Sequence, residues 1–90
     1  MYKLKLYIIG GMAKSRQAID NLGTLLQDKF ESEYSLEVID VLKKPGLAEN
    51  EKILATPTLI KELPLPIRRV IGDLSDMDKV LLELDIVRSP

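Results

Sequence analysis

"KILATPTLIKEL", residues 52–63, changes character at Thr56-Pro57-Thr58. Ahead of the proline the pattern is a short helical tail. Behind it, "TLIKEL" (58–63) reads as a strand that Pro64 stops. The rest of the chain is organised around this handover from helix to strand.

Upstream, "KLKLYII" (3–9) alternates charged and apolar residues and then becomes continuously apolar, which predicts a strand whose far end is buried on both faces. Gly10-Gly11 ends it. From Ser15, the apolar positions Ala18, Ile19, Leu22, Leu25, Leu26 and Phe30 recur at the spacing of an amphipathic helix, with Lys14, Arg16, Gln17, Asp20, Asn21 and Asp28 on a solvated face. Gly23 inside it costs about 1 kcal/mol relative to alanine, so packing must hold this helix. "SLEVIDVL" (35–42) alternates again and predicts a second strand. Strand, helix and strand make a βαβ unit with the two strands parallel.

Downstream the signals are shorter. Pro45 can open a helix through "GLAENEKIL", because its missing N–H falls where no partner is needed. After the 58–63 strand, Pro64-Leu65-Pro66 leaves room for a turn into a strand at "IRRVI" (67–71), making an antiparallel hairpin. Ser75-x-x-Asp78 resembles a capping box that opens a helix on Met77, Val80, Leu81 and Leu84. The same segment has a second solution. Val80, Leu82, Leu84 and Ile86 are apolar at period two, so "VLLELDIV" (80–87) also fits a strand. Two packings of one chain can differ by only a few kcal/mol.

Composition narrows the function. Ninety residues suit one domain, residues 1–90, with 46% hydrophobic and 30% charged residues, the balance of a soluble globular chain. Thirteen basic residues against fourteen acidic give a net charge of −1 and no basic excess in either half. That argues against nucleic acid and anionic membranes as partners. There is no cysteine and no histidine. Disulfides, thiolate nucleophiles, cysteine-ligated metals and the commonest general base are therefore unavailable. The N-terminus is too short and charged for a signal peptide and no apolar run approaches about 20 residues, so a cytoplasmic location is expected.

Enzyme readings fail on the same grounds. Asp73, Asp76 and Asp78 lack the further ligands a calcium loop needs, and Ser75 has no histidine base. No catalytic residue, metal site or cofactor is expected.

The segments "LKLYIIG", "VIDVLK", "KILATPTL", "IRR" and "IGDLS", in this order, resemble the KaiB family of small clock proteins over nearly the whole chain. The resemblance implies an α/β, thioredoxin-like βαβαββα domain that binds the N-terminal ATPase ring of a KaiC-type hexamer. It also implies a metamorphic chain with an alternative tetramer-forming ground state of βαββααβ order. In the thioredoxin-like state Thr56-Pro57 is expected to be cis, with strand 58–63 beside the first strand; the cis form costs only about 0.5–1 kcal/mol at an X–Pro bond. The dithiol that precedes the first helix in a redox thioredoxin is replaced here by Gly10-Gly11-Met12-Ala13-Lys14, which removes redox chemistry.

Departures from the family adjust these expectations. Glu83 stands where the family often has glycine, two residues before the shared Asp85, and favours a C-terminal helix. Leu65 interrupts the family's triple proline, and the sequence ends at Pro90 without an acidic tail. Together these favour the monomeric thioredoxin-like state. Glu37 replaces a lysine at the edge that helps dock KaiA in the family, which weakens the case for KaiA as a partner. A KaiC-type ATPase, in competition with a SasA-like kinase, is the stronger expectation. A redox-inactive adaptor, or a paralogue acting without KaiA, is the competing reading.

The partner-binding candidates are Lys5 on the first strand, Ser35, Leu36 and Glu37 on an edge strand, Asn50, Glu51 and Lys52 on a charged ridge, and Arg68 and Arg69, of which one faces outward. Thr56, Pro57, Leu65, Glu83 and Asp85 are the candidates for the fold switch. Tyr7, Met12 and Met77 are expected to pack in or cap the core.

Overall fold

A computed structural model describes residues 1–28 and 33–86. Phe30 and Val87, which the sequence patterns include, lie outside the described residues, as does the Asp28 side chain. The elements are β1 (Tyr2–Ile8), α1 (Ala13–Asp28), β2 (Tyr34–Asp40), α2 (Pro45–Asn50), β3 (Thr58–Leu63), β4 (Arg68–Ile71) and α3 (Met77–Glu83), the expected βαβαββα order. They form a four-stranded sheet ordered β2-β1-β3-β4. β1 pairs in parallel with β2, as the βαβ reading requires, and β3 runs antiparallel to both β1 and β4.

Period-two alternation decides which side chains meet which helix. Leu4, Leu6 and Ile8 of β1, Leu59 of β3 and Val70 of β4 share one face, where they pack with Ala18, Leu22, Leu25 and Leu26 of α1 and Val80, Leu81 and Leu84 at α3. The opposite face holds a smaller cluster, Tyr7, Ile39 and Ile60, against Ala48 of α2 and Ile53. The far end of β1 is buried on both faces, as expected: Leu6, Tyr7 and Ile8 are all buried.

Several boundaries depart from the sequence reading. α2 ends at Asn50 rather than running through Leu54, because Lys52 takes a left-handed backbone (φ 55°) that breaks the helix. The cap of α3 is Asp76, not Ser75: its Oδ1 accepts from the Lys79 N–H at 3.1 Å, while the Ser75 N–H is turned back to Asp73 Oδ1 at 3.0 Å. Residues 80–83 take the helical solution, as the favoured reading had it, and Asp85 ends the element in the left-handed region with Ile86 N–H donating to the Leu81 carbonyl. Met12 is more than half exposed and belongs to neither core cluster of the described residues, whereas Met77 packs against the larger core as expected. Thr56-Pro57 is cis, and so are Leu63-Pro64 and Leu65-Pro66.

Candidate functional site

The face that carries α2 collects most of the candidate residues. By strand register, Glu37 of β2, Lys5 of β1, Ile60 of β3 and Arg69 of β4 form one row across the sheet, next to the row of Ile39, Tyr7, Thr58 and Ile71. Residues far apart in sequence thus become neighbours because parallel and antiparallel pairing stack the same parity on one side.

Lys5 is less available than the sequence suggested. β1 is an interior strand, and the Lys5 ammonium lies 3.3 Å from Glu62 Oε2, while Lys3 reaches Glu62 Oε1 at 3.6 Å. Burial pushes the Lys5 pKa down, but the hydrogen bond and charge of Glu62 outweigh it and leave the ammonium above its ordinary value. Tyr7 beside it is core, and burial, helped by the charge of Glu51, holds its phenol above the usual range.

The charged ridge is organised by Arg69. Its guanidinium donates to the Glu51 carbonyl at 3.0 Å and to the Lys52 carbonyl at 3.4 Å. These carbonyls end α2, where a cation meets the negative end of the helix backbone. Arg69 therefore acts as a clamp between β4 and the turn after α2. It leaves Lys52 exposed, with Asn50 and Glu51 alongside. Arg68, one residue earlier, falls on the other face opposite Lys61, so the two arginines do not act together.

β2 is an edge strand, as expected. Ser35 and Glu37 point to the α2 side. Leu36 points to the α1 side, where it lines a groove with Ile19, Gly23, Leu26 and Tyr34. Among the switch candidates, Pro57 is buried and its carbonyl accepts from the Gly72 N–H at 3.0 Å, while Thr58 Oγ1 donates to the Ala55 carbonyl at 2.6 Å. Leu65 is exposed at the hairpin turn, and Glu83 pairs with Lys79 at 3.9 Å one turn back in α3.

The sequence reading missed Leu54. It is 95% exposed, at the lip of a groove of about 320 Å³ lined by Ile9, Val41, Pro45, Ala48, Ile53 and Thr56. Treating 46–54 as one helix hid it, because an apolar residue in a helical tail reads as core. The signal available was its place just ahead of the proline motif, where the chain must leave the helix.

Chemically this face offers a clamped turn with exposed charged and apolar side chains, Lys52 and Leu54 among them. The chain has no cysteine and no histidine. Among the described residues no cluster of acidic side chains could hold a metal ion. Ser75 is engaged with Asp73, whose carboxyl is held below its ordinary value by the hydrogen bonds from Ser75. No described helix is long and apolar enough to cross a membrane.

Comparison with known proteins agrees with this geometry. A family model described as the KaiB domain matches residues 5–86. The circadian clock oscillator protein KaiB of Synechococcus elongatus is 57% identical over 86 residues, which cover 96% of this chain and 84% of that protein. The protein of the same name from Prochlorococcus marinus is 56% identical, with coverages of 96% and 82%. Among solved structures, the N-terminal domain of Synechococcus elongatus SasA superimposes with a TM-score of 0.75 at 24% identity, covering 99% of this chain and 88% of that one. Oxidised mitochondrial thioredoxin 3 from Saccharomyces cerevisiae gives 0.76 at 14% identity, covering 96% and 78%. The fold is thioredoxin-like.

Proposed function

The chain belongs to the KaiB family, and on that premise we propose that it is a non-enzymatic, cytoplasmic clock regulator, a single KaiB-like domain over 1–90 that docks on the N-terminal ATPase ring of a KaiC-type hexamer. The observation that carries this reading is the Arg69 clamp. By fixing the turn after α2 it holds Lys52 and Leu54 outward together, a cation beside an apolar anchor, on the face that also carries Glu51 and the Lys5–Glu62 pair. A preset surface of this kind loses little conformational entropy on docking.

In this reading the thioredoxin-like state is the binding form and is mainly monomeric, with a tetrameric ground state as its alternative. The helical α3, in which Glu83 pairs with Lys79, supports that preference. Competition with a SasA-like kinase is supported by the shared fold. KaiA is a weaker partner, since Glu37 presents a negative charge on the exposed edge strand.

The test is co-elution of the purified chain with a KaiC-type ATPase, in ATP and separately in ADP. A complex that depends on the nucleotide, and weakens when Leu54→Ala or Lys52→Ala is introduced, supports the proposal. No complex in either nucleotide would leave the alternative, a redox-inactive adaptor with another partner. Light scattering on the free protein is expected to give a monomer, and a dominant tetramer would count against the state assigned here.

A further inference from the structure

β4 is the second edge of the sheet, at the far side from β2. Its pairing with β3 fixes which of its backbone groups stay open. The Gly72 N–H donates to the Pro57 carbonyl at 3.0 Å, so these two residues make a hydrogen-bonded pair of the antiparallel ladder. Such pairs alternate, and the next are Leu59 with Val70 and Lys61 with Arg68. The N–H and C=O groups of Arg69 and Ile71 therefore turn away from β3, toward the open edge. None of the turn and loop hydrogen bonds among the described residues uses them.

The side chains along this edge combine two characters. Ile67, just ahead of the strand, and Ile71, at its end, are each 60% exposed and flank Arg69 at a spacing of two. Arg68 is exposed on the opposite face, level with Lys61. Among the described residues neither arginine is in an ion pair, and across the ladder neither faces an acidic side chain. The chain has a net charge of −1, yet this edge is locally cationic. Charge on an edge strand discourages pairing with a purely apolar strand, while exposed β-branched residues favour pairing. An occupant has to satisfy both, with apolar side chains at the isoleucines and carboxylates at the arginines.

We propose that β4 is a docking edge for an extended acidic segment of another protein, added to the sheet as a further strand. Antiparallel addition is the more stable pairing per residue, and its register specifies the segment. An apolar residue stands opposite Ile71, any residue opposite Val70, acidic residues opposite Arg69 and Arg68, and an apolar residue opposite Ile67. The open backbone groups of Arg69 and Ile71 supply the main-chain hydrogen bonds. The two arginines, one on each face of the strand, select carboxylates and reject basic segments. A second copy of this chain fits less well, because β4 has no carboxylate to offer its twin's arginines. The inference stands whether or not the chain binds an ATPase.

The probe is a short synthetic peptide with the core Val-Thr-Glu-Glu-Val, titrated into the intact protein and followed by amide shifts and amide hydrogen exchange. Saturable binding with a Kd below about 1 mM is expected, and at saturation the amides of Arg69 and Ile71 should exchange more slowly while those of β2 stay as they were. Arg68→Glu should weaken the peptide at least about tenfold, because like charges then meet across the new pair. Arg68→Gln, which only removes the charge, should weaken it by a smaller factor. A control peptide with lysines in place of the two glutamates should not bind. Equal binding of the control, protection of β2 instead of β4, or unchanged affinity in both Arg68 variants would overturn the proposal. So would no binding of the acidic peptide up to about 1 mM. Protection of Arg69 and Ile71 that rises with protein concentration, without peptide, would also overturn it and make the edge a contact between copies of this chain.

Discussion

The two faces of the sheet are built to different depths. Among the described residues, the α1/α3 face buries thirteen apolar residues in one cluster, whereas the α2 face fully buries three, Tyr7, Ile39 and Ile60, under a six-residue helix. The thick face supplies most of the hydrophobic stabilisation, which scales with apolar area removed from water. The thin face leaves Lys52, Leu54 and the edge of β2 accessible. On the function proposed above, stability and recognition fall on opposite sides of the same four strands, and a change on one side should register differently from a change on the other.

The largest expected effect tests that division within one strand. Leu59 and Ile60 are consecutive in β3, both inaccessible, and face opposite ways. Leu59→Ala should cost about 4–5 kcal/mol in urea unfolding, because a cavity in the larger core has rigid walls on all sides. Ile60→Ala should cost nearer 2–3 kcal/mol, since the short α2 can settle into the space. An Ile60 penalty equal to that of Leu59 would break the comparison.

Next in size is Gly10→Ala, where β1 gives way to α1. An added Cβ would meet Asp40 Oδ2 at 2.7 Å, yet that carboxylate is already tied to the Gly10 N–H at 3.2 Å and, through Oδ1, to the Leu42 N–H at 2.9 Å. Displacing it should cost about 1–2 kcal/mol by the same denaturation assay. Arg69→Ala sharpens the comparison from the recognition side. Because its hydrogen bonds are exposed, unfolding should lose only about 1 kcal/mol, while complex formation with a KaiC-type ATPase should fall well beyond what that loss explains. If binding survives unchanged, the clamp is not what presents the surface.

The smallest effect is electrostatic. Asp73 is held below its ordinary value of 3.8 by Ser75, so its contribution to stability is present above the unfolded-state value and is lost as pH falls through the folded-state value. Asp73→Asn should therefore narrow the gap between unfolding midpoints at pH 6 and pH 3 by a small, measurable amount. A wider gap would contradict the sign.

Much of the frame is legible in the residues. The alternation of 3–9 and 35–42, the helical stripe between them and the proline-bounded 58–63 run specify the parallel pair and the third strand, because each pattern is a local consequence of which side chains can share a face. The site is less legible. Ser35, Leu36 and Glu37 could be read as an edge, but Lys5 looked free only because its partner, Glu62, lies on a strand whose register the sequence does not state. Leu54 was hidden inside an overlong helix. Arg69 was one of two equivalent arginines until the sheet sent them to opposite faces.

By itself, then, the sequence determined the order of elements, the absence of thiol and imidazole chemistry and the family likeness in the 38–74 run. The tertiary structure decided what local pattern left open. Segment 80–86 satisfies two periodicities, and burial of Val80, Leu81 and Leu84 on an existing sheet selects the helix. The Arg69 clamp joins residues 17 and 18 positions apart, and Lys61 meets Asp85 across 24. Contacts of that span depend on how strands and helices stack, so no window of the sequence contains them.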